Sequence, residues 1–170
     1  MESKTLKLRC ISAAAVLSLL ALGAAAQTQT PLQKRGAYLA RLMDCGGCHT
    51  PGHLVGKPDS NRYLAGSDVG FEIPGRGIFY PPNLTPDRET GLGAWSAAEI
   101  VNAIRNGARP DGRALVPVMP YHSYARLTDE DAEALVAYLK SLKPIRNKAP
   151  AIAGPNEKPK APFLRVIVPE

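Results

Sequence analysis

The sequence predicts an all-α domain in which three to five helices are joined by long loops rich in glycine and proline. Helix signals occur in three segments, residues 32–44, 96–107 and 128–143. The chain of 170 residues, enough for one domain, contains 15 glycines and 16 prolines, which favour turns over long regular elements. The third observation is the motif Cys45-Gly46-Gly47-Cys48-His49, which closes the first predicted helix.

The first predicted helix, Leu32–Asp44, contains Gly36 near its middle. A glycine inside a helix costs about 1 kcal/mol relative to alanine. The sequence therefore predicts that another helix approaches closely at Gly36.

The second and third predicted helices have clear boundaries. Ser96-Ala97-Ala98-Glu99 is a capping box, and Gly107 is placed to end the helix that it opens. Thr128 is a good N-cap for the last helix, and Pro144 ends it. One apolar stripe on this helix, expected to place Tyr138 against Gly36, consists of Leu135, Tyr138, Leu139 and Leu142.

The middle of the chain, residues 50–95, lacks a long helix signal. Only Gly75–Tyr80 has the character of a short extended piece. Unstructured loops of this length are unusual in a compact domain unless the chain packs on a large buried group instead of on itself.

The motif at Cys45 supplies that group, because C-x-x-C-H is typical of a c-type haem attachment site. On a helix, residues three and four apart lie on the same face. Both thiols can therefore add to one porphyrin edge, and His49 can turn a ring nitrogen toward the iron. The alternatives are a thiol-disulfide site or half of a zinc site. They are disfavoured because no strands surround the motif and no second cysteine pair exists.

The N-terminal segment, residues 1–26, is predicted to be a secretory signal peptide. Basic residues precede the apolar run Ile11–Ala26, which ends in three alanines. The run is short for a membrane-spanning helix, which needs about 20 residues. An uncleaved anchor is the alternative. Cys10 precedes the run and would be removed with the signal peptide. The prediction is therefore a periplasmic protein, with residues 27–143 as the haem domain and 144–170 as a proline-rich tail.

Four side chains could supply the second axial ligand of the iron: Met119, His122, His53 and Met43. Met119 lies between prolines in a stiff apolar loop, far along the chain from His49, and is preferred. His122 is the next candidate. His/Met ligation gives a higher potential than His/His and leaves no open iron position. This favours electron transfer over catalysis, with Trp95, Arg105 and Tyr121 predicted to line the pocket.

The net charge of +6 indicates a modest basic excess. Such an excess can steer the protein to an acidic partner or to the anionic surface of a membrane, so peripheral membrane association is compatible with it. No arginine-rich run with interleaved aromatic residues suggests nucleic acid binding. The tail carries an apolar patch, Phe163–Val168, which either wraps back over the domain or docks a partner.

The sequence resembles the class I monohaem cytochromes c. More closely, it is similar to a domain of the cytochrome c subunits of membrane-associated alcohol, gluconate and sorbitol-type dehydrogenases. The resemblance runs from about Gly36 to Leu142. Its specific motifs are Gly36–Leu39, Cys45–Thr50, Asn83–Asp87, Glu89–Gly93, Trp95-Ser96, Ile104–Gly107, Pro110–Arg113, Met119–Tyr121, Leu127–Asp131 and Tyr138-Leu139.

The resemblance implies a cytochrome c-like fold around one covalent haem c. It implies thioethers at Cys45 and Cys48, axial ligation by His49 and Met119, and crossing of the first and last helices near the haem edge. The function expected is transfer of single electrons from a dehydrogenase donor to a respiratory-chain acceptor, without catalysis by the chain itself. The subunits often carry three C-x-x-C-H motifs, whereas this chain has one, and a free relay is equally compatible. The alternative is a haem enzyme or gas-binding haem protein with an open or weakly ligated iron site.

Overall fold

The computed structural model describes residues 28–169, so the predicted signal peptide and Cys10 lie outside the described residues. Within this range no helix has the length and apolar character needed to cross a bilayer. The elements of the described chain are helices α1 (Pro31–Leu42), α2 (Cys45–His49), α3 (Ala97–Asn106), α4 (Tyr121–Tyr124) and α5 (Asp129–Ser141), 3-10 turns His53–Val55 and Ser60–Arg62, and strands β1 (Gly70–Ile73), β2 (Gly77–Phe79) and β3 (Phe163–Leu164).

The all-α prediction is correct only in part, because the helices are accompanied by a small sheet of order β2-β1-β3. Strands β1 and β2 pair antiparallel, with Phe71 opposite Phe79. Strand β3 pairs parallel to β1, with Phe71 opposite Leu164. The predicted extended piece at Gly75–Tyr80 contains β2. Its partners are too short to carry a periodic signal, and β3 comes from the far end of the chain.

Helices α1 and α5 cross at Gly36, as predicted. A Cβ atom built on the buried Gly36 would lie 2.7 Å from Cβ of Tyr138 and would overlap the carbonyl oxygen of Ala134. Only a residue without a side chain permits this approach. The contact forms the centre of the main core, whose buried members are Leu39, Ala40, Leu64, Leu92, Ile100, Ala134, Leu135, Val136, Tyr138 and Leu139.

The first helix ends two residues earlier than predicted. Asp44 has φ of 51° and so lies in the left-handed region, which interrupts the helical conformation between α1 and α2. Aspartate tolerates this conformation better than most residues. The break redirects the backbone, so that the cysteine motif forms a separate helical turn and does not continue α1.

Both predicted helix caps are present. The hydroxyl of Ser96 accepts a hydrogen bond from the Glu99 amide at 3.2 Å, and the Glu99 carboxylate accepts one from the Ser96 amide at 2.7 Å. Gly107 follows α3 with φ of 65°. The hydroxyl of Thr128 caps α5 by accepting from the Asp131 amide at 3.2 Å.

One ion pair links α1 to α5 and makes the crossing sensitive to acid. Arg35 Nε donates to Asp131 Oδ1 at 2.8 Å, and this bond holds the pKa of the Asp131 carboxyl below its usual 3.8. A carboxyl group whose pKa is lower in the folded than in the unfolded state stabilises the folded state at pH values above the unfolded-state pKa. This stabilisation is lost as the pH falls through the folded-state pKa. We expect Arg35→Gln to remove part of the decline in stability between pH 5 and 2, as measured by denaturant unfolding at a series of pH values. The pair is exposed to solvent, which screens the charges, so the expected effect is small. An unchanged pH profile would contradict it.

The C-terminal tail is attached to the domain at several points, through hydrogen bonds of Ile145, Asn147, Ala153 and Ala161 and through β3. The prediction left open whether Phe163–Val168 wraps back or docks a partner. Phe163 and Leu164 form β3, whereas Val166, Ile167 and Val168 are 81–87% exposed. The patch is therefore divided between a paired and an exposed part.

Candidate functional site

A cavity of about 700 Å³ lies between the helices and the long loops. This volume falls within the range of small-molecule and cofactor sites, about 300–1,000 Å³. Helix α2 contributes the motif residues, while α3, α5 and the sheet contribute apolar walls. The apolar and aromatic lining includes Phe71, Phe79, Leu84, Leu92, Trp95, Ile100, Ile104, Leu115, Val116, Leu135 and Leu139.

Cys45 and Cys48 lie on the same wall of the cavity. Both are free thiols and half-buried. Burial raises the pKa of the Cys45 thiol to about 11 and also raises the pKa of Cys48. Thiol-disulfide catalysis needs an accessible thiolate with a lowered pKa. The pKa values of these two thiols are therefore shifted in the opposite direction to that required in a disulfide exchange centre.

His49 is buried in the cavity wall at 6% exposure. Its Nδ1 lies 2.7 Å from the carbonyl oxygen of Pro82. Because a carbonyl can only accept, Nδ1 donates the proton, and a neutral ring then has its lone pair on Nε2. Burial lowers the pKa of His49 and so favours this neutral form. The ring is thus oriented and ready to bind a metal through Nε2.

The structure brings Met119 to the same cavity as His49. Met119 is half-buried and is fixed by a backbone hydrogen bond to the Val116 carbonyl at 3.0 Å. Met43 also lines the cavity, next to the cysteine motif. His53 and His122 are exposed and lie outside the lining.

The predicted pocket residues are correct for Trp95 and wrong for Arg105 and Tyr121. Trp95 lines the cavity, whereas the other two do not. Arg105 instead donates from Nη1 to the Asp129 carboxylate at 2.7 Å and from Nη2 to the Leu127 carbonyl at 2.5 Å. Its position near the end of α3 directs it to the start of α5.

Two arginines that the sequence analysis missed line the cavity, Arg109 and Arg113. The Arg109 guanidinium lies 4.9 Å from the ring centroid of Trp95. Both arginines bond to the Asp111 carboxylate, at 3.3 and 3.2 Å. The turn at Asp111-Gly112 brings the two together, since the Arg109 amide donates to the Arg113 carbonyl at 3.1 Å. The turn at Asp111-Gly112 was recognisable in the sequence. The sequence did not show that the turn places both arginine side chains at the cavity.

The residues present fit a covalently attached haem. Two unpaired thiols lie beside an apolar cavity of cofactor size, and a neutral imidazole presents Nε2 to it. A thioether from a distant loop reaches the same space. The helices of residues 28–169 and this cavity define a haem-binding domain.

The family model described as "Cytochrome c" matches residues 33–143, and the chain belongs to this family. It is 41% identical over 155 residues to the cytochrome c subunit of a quinone-dependent alcohol dehydrogenase of Gluconacetobacter polyoxogenes, a match that covers 88% of the chain and 31% of the relative. The fructose dehydrogenase cytochrome subunit of Gluconobacter japonicus is 39% identical over 127 residues, covering 74% of the chain and 24% of that protein.

The gluconate 2-dehydrogenase cytochrome c subunit of Pantoea cypripedii is 41% identical over 127 residues, covering 74% of the chain and 27% of that protein. The chain thus spans about a quarter to a third of the length of these relatives. The predicted resemblance to cytochrome c subunits of dehydrogenases is confirmed. These relatives are cytochrome subunits of dehydrogenases, and membership of the cytochrome c family makes the chain an electron carrier.

Proposed function

We propose that the chain is an exported monohaem cytochrome c that passes single electrons from a dehydrogenase to a respiratory acceptor. Thioethers at Cys45 and Cys48 would hold the haem, and His49 and Met119 would bind the iron. The observation that carries the proposal is the His49 ring, fixed through Nδ1 by the Pro82 carbonyl, in one cavity with both thiols and Met119.

The bound haem supplies the one-electron chemistry. The chain supplies position, ligation and exclusion of water. The Pro82 carbonyl keeps the His49 ring oriented and makes it a stronger ligand. Ligation by Met119 would raise the potential and leave no iron position open to a substrate. The mainly apolar lining disfavours water in the cavity, so little solvent would reorganise when an electron moves.

The partners follow from the relatives, which are cytochrome subunits of alcohol, fructose and gluconate dehydrogenases. Such a dehydrogenase is the proposed electron donor, and a component of the respiratory chain is the proposed acceptor. The proposed location is the periplasm, after removal of residues 1–26. Residues 27–143 would form the haem domain and 144–170 an appended tail.

The proposal is tested by producing the full chain in a host that matures c-type cytochromes. After extraction with acid and acetone, we expect the haem to stay with the polypeptide, because thioethers are covalent. The control is the same extraction of a globular protein mixed with free haemin, which should lose it. Elemental and protein analysis should give one iron per chain, and a redox titration should fit a one-electron curve. A folded but colourless chain, or haem that extracts completely, would refute the proposal.

A further inference from the structure

The C-terminal segment 145–164, here called the strap, forms part of the cavity wall. It lies beyond residues 33–143, which the family model matches. Five consecutive strap residues line the cavity: Lys148, Ala149, Pro150, Ala151 and Ile152. Their side chains are small, stiff or aliphatic apart from Lys148, so the strap presents a mainly apolar surface to the enclosed space.

Asn83 attaches the start of the strap to the loop that follows β2. Asn83 is 1% exposed, and its Nδ2 donates to the Ile145 carbonyl at 2.7 Å and to Thr90 Oγ1 at 3.0 Å. Its Oδ1 accepts from the amide and the hydroxyl of Thr85 at 2.9 and 2.8 Å. Every polar atom of this buried side chain is therefore used, which is the arrangement that holds a polar group inside a protein.

Asn147 provides a second attachment two residues later. Its amide donates to Thr90 Oγ1 at 3.1 Å, and its Nδ2 donates to the Ala65 carbonyl at 2.8 Å. Beyond the cavity, Ile78 and Ala153 exchange two backbone hydrogen bonds at 2.8 and 3.1 Å. The lining part of the strap is thus anchored on both sides.

The far end of the strap is held as well. The Tyr80 hydroxyl donates to the Ala161 carbonyl at 2.9 Å, and the Gly70 amide donates to the Pro162 carbonyl at 2.9 Å. Strand β3 then completes the sheet. Terminal segments are poorly ordered unless specific contacts hold them. The buried asparagine, the backbone bridge and the strand are such contacts, and they fix the position of the strap.

We infer that the strap is a built-in wall that keeps water from the haem and thereby raises the reduction potential, with Asn83 and Asn147 as positioning residues. This inference rests on the proposed function. The oxidised haem with neutral axial ligands carries one more positive charge than the reduced haem. Water stabilises that charge, so a wetter cavity favours the oxidised form and lowers the potential.

The hydrogen bond of His49 does not include a strap residue, because its partner is the Pro82 carbonyl. Besides the contact of Asn83 with the strap, the segment that carries Pro82 is held by the Ser67 amide donating to the Pro81 carbonyl at 2.9 Å and by the Leu84 amide donating to the Leu64 carbonyl at 2.8 Å. Loss of the strap should therefore leave the Nδ1 bond to Pro82 in place. The exchange rate of the His49 ring N–H with solvent, followed by NMR, serves as the internal check.

The test compares two shortened holoproteins, one ending after Lys143 and one ending after Arg165. The longer variant is the matched control, because it loses only the exposed end of the tail. We expect removal of the strap to lower the equilibrium constant for one-electron reduction by about tenfold, a fall in midpoint potential of about 59 mV. The control should keep the potential of the full chain. Equal potentials in the two variants would overturn the inference.

A second comparison applies if the shorter variant accumulates without haem. In the full chain, Asn147→Ala removes the bond to the Ala65 carbonyl, while Asn106→Ala removes only a surface bond to Asn102 at 2.8 Å. We expect Asn147→Ala alone to lower the potential, by less than the truncation does, with unchanged exchange at His49. No difference between the two would overturn the inference. Failure of the proposed function is recognised separately, since the full chain would then lack covalent haem.

Discussion

Replacement of Met119 by alanine is expected to abolish the sulfur-to-iron charge-transfer band of the oxidised protein and to lower its reduction potential. A thioether stabilises reduced iron, so its loss favours the oxidised form. Axial ligands move haem potentials over about 0.8 V, and we expect a fall on the order of a quarter of that range. The measurements are the absorption spectrum and a potentiometric titration of the holoprotein. The reduced variant should also bind carbon monoxide rapidly, because one iron position is now open.

His122→Ala is the matched control for this prediction. His122 is the next candidate ligand, but it is exposed and its ring packs on Tyr121, with centroids 4.2 Å apart. We expect its removal to leave both the band and the potential unchanged. An unchanged spectrum in Met119→Ala, with loss of the band in His122→Ala, would move the assignment to His122. Rapid binding of carbon monoxide by the unaltered protein would favour a haem enzyme or gas-binding protein.

The sequence was sufficient to place the motif residues and Met119 at one cavity. Their spacing and their proline-bounded setting are local properties of the chain, which sequence patterns record. The partner of His49 was not accessible in this way, because it is the backbone carbonyl of Pro82, and any residue type could supply it. The arginines of the cavity wall were missed because their direction depends on the turn at Asp111-Gly112, and only the folded chain brings the Arg109 guanidinium over the Trp95 ring.

The same distinction explains what was predicted of the fold. Capping residues and the glycine of α1 act within one turn or at one contact. Ser96 and Gly107 therefore predicted the ends of α3, and Gly36 predicted a close helix crossing. The sheet was missed because β3 is only two residues long and pairs with a strand from the middle of the chain. The path of the tail depends on Asn83 and Asn147, whose bonding partners are mostly backbone carbonyls. Such partners leave no trace in composition or periodicity.

Gly36→Ala is expected to destabilise the protein although alanine is the better helix former. The new methyl group would overlap the Ala134 carbonyl oxygen and lie 2.7 Å from Tyr138 Cβ. Neither atom belongs to a flexible side-chain end, so the two helices must separate. Overpacking of this kind costs about 3 kcal/mol, against a gain of about 1 kcal/mol in helix propensity. The net loss of about 2 kcal/mol should lower Tm by several degrees in thermal unfolding followed by circular dichroism.

Gly154→Ala is the matched control, because it makes the same chemical change in open surroundings. A Cβ atom at this position would lie 3.5 Å from Glu157 Cδ, an ordinary van der Waals contact. We expect its stability to stay within about 0.5 kcal/mol of the unaltered chain. Equal stability of the two variants would mean that α1 and α5 do not approach closely at Gly36. Because α1 leads directly into the cysteine motif, separation of α1 from α5 should also displace α2. We then expect the haem of the Gly36 variant to have a broadened absorption spectrum, which the control variant should lack.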